Sequence, residues 1–130
     1  MKTLTRSVLI ALLLLFAVPV YSGAMVIQKF DCEFNGDATA DQVLKTAEVW
    51  LDAAKNTKGG ANMSVGIRFP IAEGLDSEVD FVFVISTPTF EEWGAFTDAY
   101  EGSAVSKVDE QLFDLADCGS STLWEGMVLK

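Results

Sequence analysis

The sequence predicts an α+β domain with elements in the order strand, helix, strand, strand, broken helix, strand. Three runs with a period of two mark strands, since side chains of an extended strand point alternately to its two faces. A fourth run, residues 79–86, is apolar on both faces and strand-like. Two capping boxes mark helix starts, because a threonine followed three residues later by Gln or Glu satisfies free N–H groups at a helix N-terminus. These pairs are Thr39 with Gln42 and Thr89 with Glu92.

The run 79–86 organises the rest of the chain. Phe81, Phe83 and Ile85 share one face, and Val82 and Val84 share the other with Asp80 and Ser86. A strand that is apolar on both faces is typical of the interior of a sheet. We therefore expect its second face to be covered by the chain itself or by a partner.

The first half of the domain follows from the same periodicities. Residues 25–34 alternate and predict a half-buried strand before the turn signal at 35–37. The helix that begins after Thr39 is expected to end near Asn56. Residues 63–69 predict a strand, closed by Pro70, that forms an antiparallel hairpin with the strand from Val79. The predicted apolar face of the first helix comprises Val43, Leu44, Ala47, Trp50, Leu51 and Ala54.

The second helical region is interrupted at residues 101–103. We expect its second segment to be capped by Ser106 with Asp109 and to end at Cys118-Gly119. A last strand is predicted over 122–129. Its alternation assigns Leu123, Met127 and Leu129 to the helix-covered core, and Trp124 and Val128 to the opposite face.

The N-terminus has the pattern of a secretory signal peptide. Lys2 and Arg6 precede the 13-residue apolar run 8–20, and small residues follow it. Such a run is shorter than the roughly 20 residues of a spanning helix, so we expect cleavage rather than a retained anchor. Cleavage after Ser22 or Ala24 is equally compatible. The expected organisation is a signal peptide over 1–24 and one domain over 25–130, in a secreted or periplasmic protein.

Charge argues against nucleic-acid and membrane partners. The formal net charge is −10, and it becomes −12 once Lys2 and Arg6 leave with the signal peptide. So acidic a protein is repelled by phosphates and anionic lipid headgroups. We expect no nucleic-acid partner and no membrane association after signal cleavage.

The two cysteines are Cys32 and Cys118. In an oxidising compartment paired thiols are normally joined, so one disulfide is expected. Their spacing does not match a catalytic C-x-x-C motif. Two lone cysteines in a sequence without histidine make a poor metal site, and we expect neither a metal nor an organic cofactor.

The order of elements resembles the ferredoxin-like α+β fold, βαββαβ, in which helices cover one face of a four-stranded antiparallel sheet. Residues 89–93, leading into Phe96 and Tyr100, resemble the second helix of dimeric α+β barrel proteins, whose sheets meet by their open faces. The chain is also similar to small uncharacterised secreted proteins of marine bacteria. The resemblance implies a homodimer, and it places Cys32 near Cys118 because the first and last strands lie side by side. Barrel enzymes often depend on histidine, which this sequence lacks.

Polar candidates for a site have simpler explanations. Arg68 is the one arginine after the signal peptide and could bind an anionic group, but a cross-strand pair with Asp80 is the plainer interpretation. Residues 76–80 carry alternate carboxylates, as calcium loops do, without the glycine and closing glutamate of such a loop. Asp31 and Glu33 could form an acid/base couple, although acidic residues on a solvated strand usually serve solubility.

The most informative functional feature is an apolar patch on the open sheet face. Val82, Val84, Trp124 and Val128 are predicted to lie there, and apolar patches usually mark interaction sites. The leading hypothesis is a binding or interaction module, with Arg68 as a further interface candidate, that forms a homodimer through this face. The alternative is a cofactor-independent enzyme of the dimeric barrel type acting on a small apolar molecule between sheet and helices.

Overall fold

The computed structural model describes residues 24–72 and 78–127 and has a ferredoxin-like α+β fold. Its four strands are antiparallel in the order β2-β3-β1-β4, and the second helical region is broken into two helices. This confirms the predicted βαββαβ order. The elements are β1 (Met25–Phe34), α1 (Ala40–Lys55), β2 (Ser64–Arg68), β3 (Phe81–Thr87), α2 (Phe90–Tyr100), α3 (Ala104–Leu115) and β4 (Ala116–Gly126).

Local sequence sets the helix starts. Thr39 and Thr89 are N-caps, and their hydroxyls accept the backbone N–H groups of Gln42 and Glu92. The third cap was predicted wrongly: Ser103 caps α3 and accepts the N–H of Ser106. Gly102 has a φ of 72°, a left-handed conformation that interrupts the helix. The next helix can therefore begin directly afterwards, with Ser103 as its cap.

Strand β4 begins six residues earlier than predicted. Helix α3 ends at Leu115, and the next residues pair with β1 at once, Ala116 with Phe34 and Asp117 with Glu33. Cys118 and Gly119 therefore lie in a strand instead of ending a helix. The β1–β4 register shifts between Asp31 and Glu33, around Cys32. Cys32 and Cys118 are joined by a disulfide, as the sequence predicts.

The core lies between the sheet and the helices. Phe81, Phe83 and Ile85 of β3 are buried there, as predicted, together with side chains of α1, α2 and α3. Leu123 and Met127 are not core residues, because their side chains are 45% and 72% exposed. β4 is the outer strand of the sheet, and Met127 lies beyond its end, so the helices do not cover them. The helix side chains of the core are Val43, Ala47, Trp50, Ala54, Phe96, Val105, Val108 and Leu112.

The β2–β3 hairpin has a different register from the predicted one. Arg68 pairs with Val82, so the predicted pairing of Arg68 with Asp80 is wrong by two residues. β2 ends at Arg68, two residues before Pro70, which has no N–H to donate to a ladder. The Asp80 carboxylate instead accepts the backbone N–H of Phe34 at 2.7 Å.

Several predicted features fall on residues that are not described. The signal peptide lies outside the described part except for Ala24, and residues 76 and 77 of the candidate calcium loop lie in the segment 73–77. Across 24–72 and 78–127, no group of three acidic, Cys or His side chains is arranged to hold a metal ion. Within the same ranges no helix has the length and apolarity needed to cross a bilayer.

Gly59, in the connection between α1 and β2, packs closely against the backbone of α2. Its φ is 81°, and a Cβ there would overlap the Glu92 carbonyl oxygen and the Phe96 amide nitrogen. Gly36 also has a positive φ, 53°, but a Cβ there would meet nothing within 4 Å. We expect Gly36→Ala to lower the free energy of unfolding by about 1 kcal/mol through the left-handed backbone alone. Gly59→Ala should cost about 1 to 3 kcal/mol more because the helix must move. Urea denaturation of both variants measures this, and equal losses would contradict the packing.

Candidate functional site

A cavity of about 270 Å³ lies between the helix-facing side of the sheet and the three helices. Its walls are mostly aromatic. Thr97 of α2 and Phe113 of α3 are exposed members of the lining, so the cavity opens between these two helices. The aromatic side chains that line it are Phe30, Trp50, Phe83, Trp93, Phe96, Tyr100 and Phe113.

Trp50 is the centre of the aromatic wall. It lies on the buried face of α1 and is 2% exposed. Its ring contacts Phe83 of β3 edge-on, with centroids 5.5 Å apart, and Phe96 of α2 at 5.9 Å. Phe96 and Tyr100, one helical turn apart, pack at 6.2 Å. Aromatic contacts thus connect α1, α2 and β3 around the cavity.

Asp109 is the polar centre of the site. One carboxylate oxygen, Oδ1, accepts the indole N–H of Trp50 at 2.6 Å, and Oδ2 accepts the phenol O–H of Tyr100. The three residues come from α3, α1 and α2 respectively. One partly buried carboxylate therefore joins all three helices.

Burial and hydrogen bonds act in opposite directions on Asp109. Burial is the larger effect and raises the pKa of its carboxyl group above the ordinary value, while the hydrogen bonds from Tyr100 and Trp50 stabilise the charged form and offset part of this rise. The pKa of the Tyr100 phenol is raised well above its ordinary value, mainly by burial and then by its hydrogen bond to Asp109. Tyr100 therefore stays protonated at neutral pH and donates to Asp109.

A second polar group lies at β1. The Trp93 indole N–H donates to Gln28 Oε1 at 3.3 Å, and Gln28 Nε2 donates to Ser121 at 3.1 Å. This chain of hydrogen bonds joins α2, β1 and β4 and lines the cavity with an amide. The cavity thus has an aromatic body with a carboxylate and an amide among its polar groups.

The alternative hypothesis from the sequence places a small apolar molecule between the sheet and the helices, but it does not identify the residues of this site. Asp109 is predicted to cap a helix, and Trp50 to lie on the apolar face of the first helix. A signal was present, because Asp109 is four residues after Val105 and three before Leu112, both buried on α3. That spacing places an acidic side chain on an apolar helix face, which is unusual unless the group is hydrogen-bonded or functional.

The predicted apolar patch residues share the open sheet face, opposite the helices, but do not form one block. Val84 pairs with Lys29 of β1, and Trp124 pairs with Ile27, so β1 separates the valines from the tryptophan. Val84 is 4% exposed, Val82 is partly buried, and Trp124 is 54% exposed.

Lys29 links the two parts of this face. Its ammonium nitrogen lies 5.0 Å from the centroid of the Trp124 ring, a cation–π contact. Arg68 is exposed on the same face through its pairing with Val82. Val128 lies outside the described residues.

No protein-family model matches the chain. No curated protein matches it either. Solved structures do match, at low sequence identity, and they support the ferredoxin-like fold alone.

Two similar structures have TM-scores of 0.50 and 0.52. A dimeric ferredoxin-like protein of unknown function from Thermobifida fusca has a TM-score of 0.50 and 13% identity, over 82% of this chain and 92% of that one. A DABB family protein with a ferredoxin-like fold from Mesorhizobium loti has a TM-score of 0.52 and 12% identity, over 82% and 99%.

A third match is SnoaB, a cofactor-independent oxygenase from Streptomyces nogalater. Its TM-score is 0.46 and its identity 9%, over 82% of this chain and 93% of that one. At that similarity it carries no argument about the chemistry of this chain.

Proposed function

We propose that this protein is a binding module for a small molecule with a largely apolar body, held in the cavity between the sheet and the helices. The observation that carries the proposal is the combination of an aromatic lining with a few fixed polar groups. Binding sites for small molecules have this composition, in which apolar walls supply affinity and sparse polar groups fix orientation. At about 270 Å³ the cavity suits a ligand below drug size.

The geometry favours binding over the alternative of a cofactor-independent enzyme. A general base is weakened by hydrogen bonds that stabilise its charged form. Both oxygens of Asp109 already accept hydrogen bonds, from Trp50 and from Tyr100. Tyr100 is held protonated and donates its one proton to Asp109, so it is not available as a base.

The binding proposal is tested with tert-butylbenzene, a small neutral probe, by NMR of the tryptophan indoles. We expect the Trp50 and Trp93 signals to shift, since both rings line the cavity, and the Trp124 signal on the opposite sheet face to stay unchanged. Thr97→Phe should weaken binding at least about tenfold by filling the mouth, a loss of about 1.4 kcal/mol. Asp98→Phe on the exposed side of the same helix is the matched control. Unchanged Trp50 and Trp93 signals would contradict the proposal.

We also propose that the protein functions as a homodimer through the open sheet face, outside the cytoplasm. The exposed Trp124 ring and the adjoining Ile27 give this face an apolar area beside Lys29, and a two-fold dimer would cover the same area on both copies. The similar protein from Thermobifida fusca is described as dimeric. The signal-like sequence over 1–24 and the disulfide both suit an oxidising compartment.

Sedimentation tests the dimer with two variants of equal exposure. Trp124 and Val49 are each 54% exposed, but Val49 lies on α1, away from the sheet face. Trp124→Glu should weaken dimerisation at least about tenfold, because it replaces an apolar contact by a charge on each copy. Val49→Glu should leave it unchanged. A monomeric wild type at high micromolar concentration, or equal behaviour of both variants, would overturn the model.

A further inference from the structure

We infer that the ligand of this cavity is a small organic cation, of the quaternary ammonium type, with an aromatic or branched apolar body. The inference rests on the proposed binding function and specifies the chemistry of its ligand. Three observations support it: Asp109 carries the one formal charge among the described lining residues, aromatic rings surround its carboxylate, and both carboxylate oxygens already accept hydrogen bonds.

The charge of Asp109 has no opposite charge in the cavity. Among the described lining residues, Asp109 is the one acidic side chain, and none is a lysine or an arginine. Its hydrogen-bond donors, Trp50 and Tyr100, are both neutral. A partly buried charge that is hydrogen-bonded but unpaired is costly, and a bound cation would offset that cost.

The walls suit a cation as well as an apolar group. The faces of aromatic rings carry negative electrostatic potential and attract ammonium groups, and Trp is the strongest of them. Trp50 both donates to Asp109 and packs on Phe83 and Phe96, so the rings adjoin the carboxylate. Tyr100 joins the same group through its contact with Phe96.

The existing hydrogen bonds favour a cation that needs no acceptor. Asp109 Oδ1 and Oδ2 each accept one bond from the protein, so about half of the acceptor sites of the carboxylate are already filled. A quaternary ammonium interacts with the carboxylate through charge alone and leaves both bonds in place. The net charge of −10 acts in the same direction, since an acidic protein attracts cations and repels anions.

A purely structural role for Asp109 predicts something different. If the carboxylate served only to tie the three helices, the cavity would bind neutral molecules and have no preference for a positive charge. The discriminating quantity is therefore the ratio of affinities for two ligands of the same shape, one charged and one neutral. This ratio is measured in the folded wild type and does not depend on a variant.

Phenyltrimethylammonium and tert-butylbenzene form such a pair, because they differ by N⁺ in place of one carbon. We expect the wild type to bind the cation at least about tenfold more tightly, as measured from shifts of the Trp50 and Trp93 indole signals. The attraction between the partly buried Asp109 carboxylate and the cation supplies most of this preference, and the aromatic rings add to it. Asp109→Asn keeps the side-chain size and should remove most of this preference. Glu110→Gln is the matched control, because it removes one charge from the next, exposed residue of α3.

The outcomes separate the two proposals. Equal affinities, or tighter binding of tert-butylbenzene, overturn the inference and leave the binding function standing. No shift with either compound overturns both. If folded Asp109→Asn keeps the preference for the cation, the Asp109 carboxylate does not cause it. If Glu110→Gln loses the preference to the same extent as Asp109→Asn, the effect is not specific to Asp109. If Asp109→Asn does not fold, the ratio of the affinities for phenyltrimethylammonium and tert-butylbenzene is still measured in the wild type and in Glu110→Gln. A preference for the cation in both proteins supports the inference, and equal affinities in the wild type overturn it.

Discussion

The arrangement of the helices depends on one partly buried carboxylate. Asp109 accepts hydrogen bonds from Trp50 of α1 and Tyr100 of α2, so its own helix, α3, is held to both of the others. Removing either donor would leave a charged oxygen with one partner fewer in a poorly solvated place, which is costly. The same bonds fix the Trp50 and Tyr100 rings that form the cavity wall. The cavity and the helix packing therefore share one polar centre.

The sheet provides the fixed surface on which this centre lies. β1 pairs with both β3 and β4, and the disulfide between Cys32 and Cys118 joins β1 to β4 across the point where their register shifts. A cross-link between residues so far apart in sequence stabilises the fold by about 4 to 5 kcal/mol in the chain-entropy model. Cys118 also lines the cavity, so the covalent link is close to the site. The open face of the sheet carries Trp124 and Lys29 and is the face that we propose for the dimer.

Features encoded by neighbouring residues were predicted from the sequence, and features set by distant packing were not. The caps at Thr39 and Thr89 and the bounds of β1 depend on local pattern, and they were correct. Leu123 looked like a core residue because alternation gives its face but not the extent of helix cover at an outer strand. Asp109 was missed because its partners, Trp50 and Tyr100, lie 59 and 9 residues away in sequence.

Hydrogen exchange of the Trp50 indole N–H tests the central interaction most directly, with Trp124 as reference in the same molecule. Trp50 is 2% exposed and donates to Asp109, whereas Trp124 is 54% exposed and donates to Thr122 at the surface. Because exchange requires opening of the hydrogen bond, we expect the Trp50 proton to exchange at least about a hundredfold more slowly. Comparable exchange rates for the two indoles would contradict an account in which Asp109 holds the three helices around the cavity.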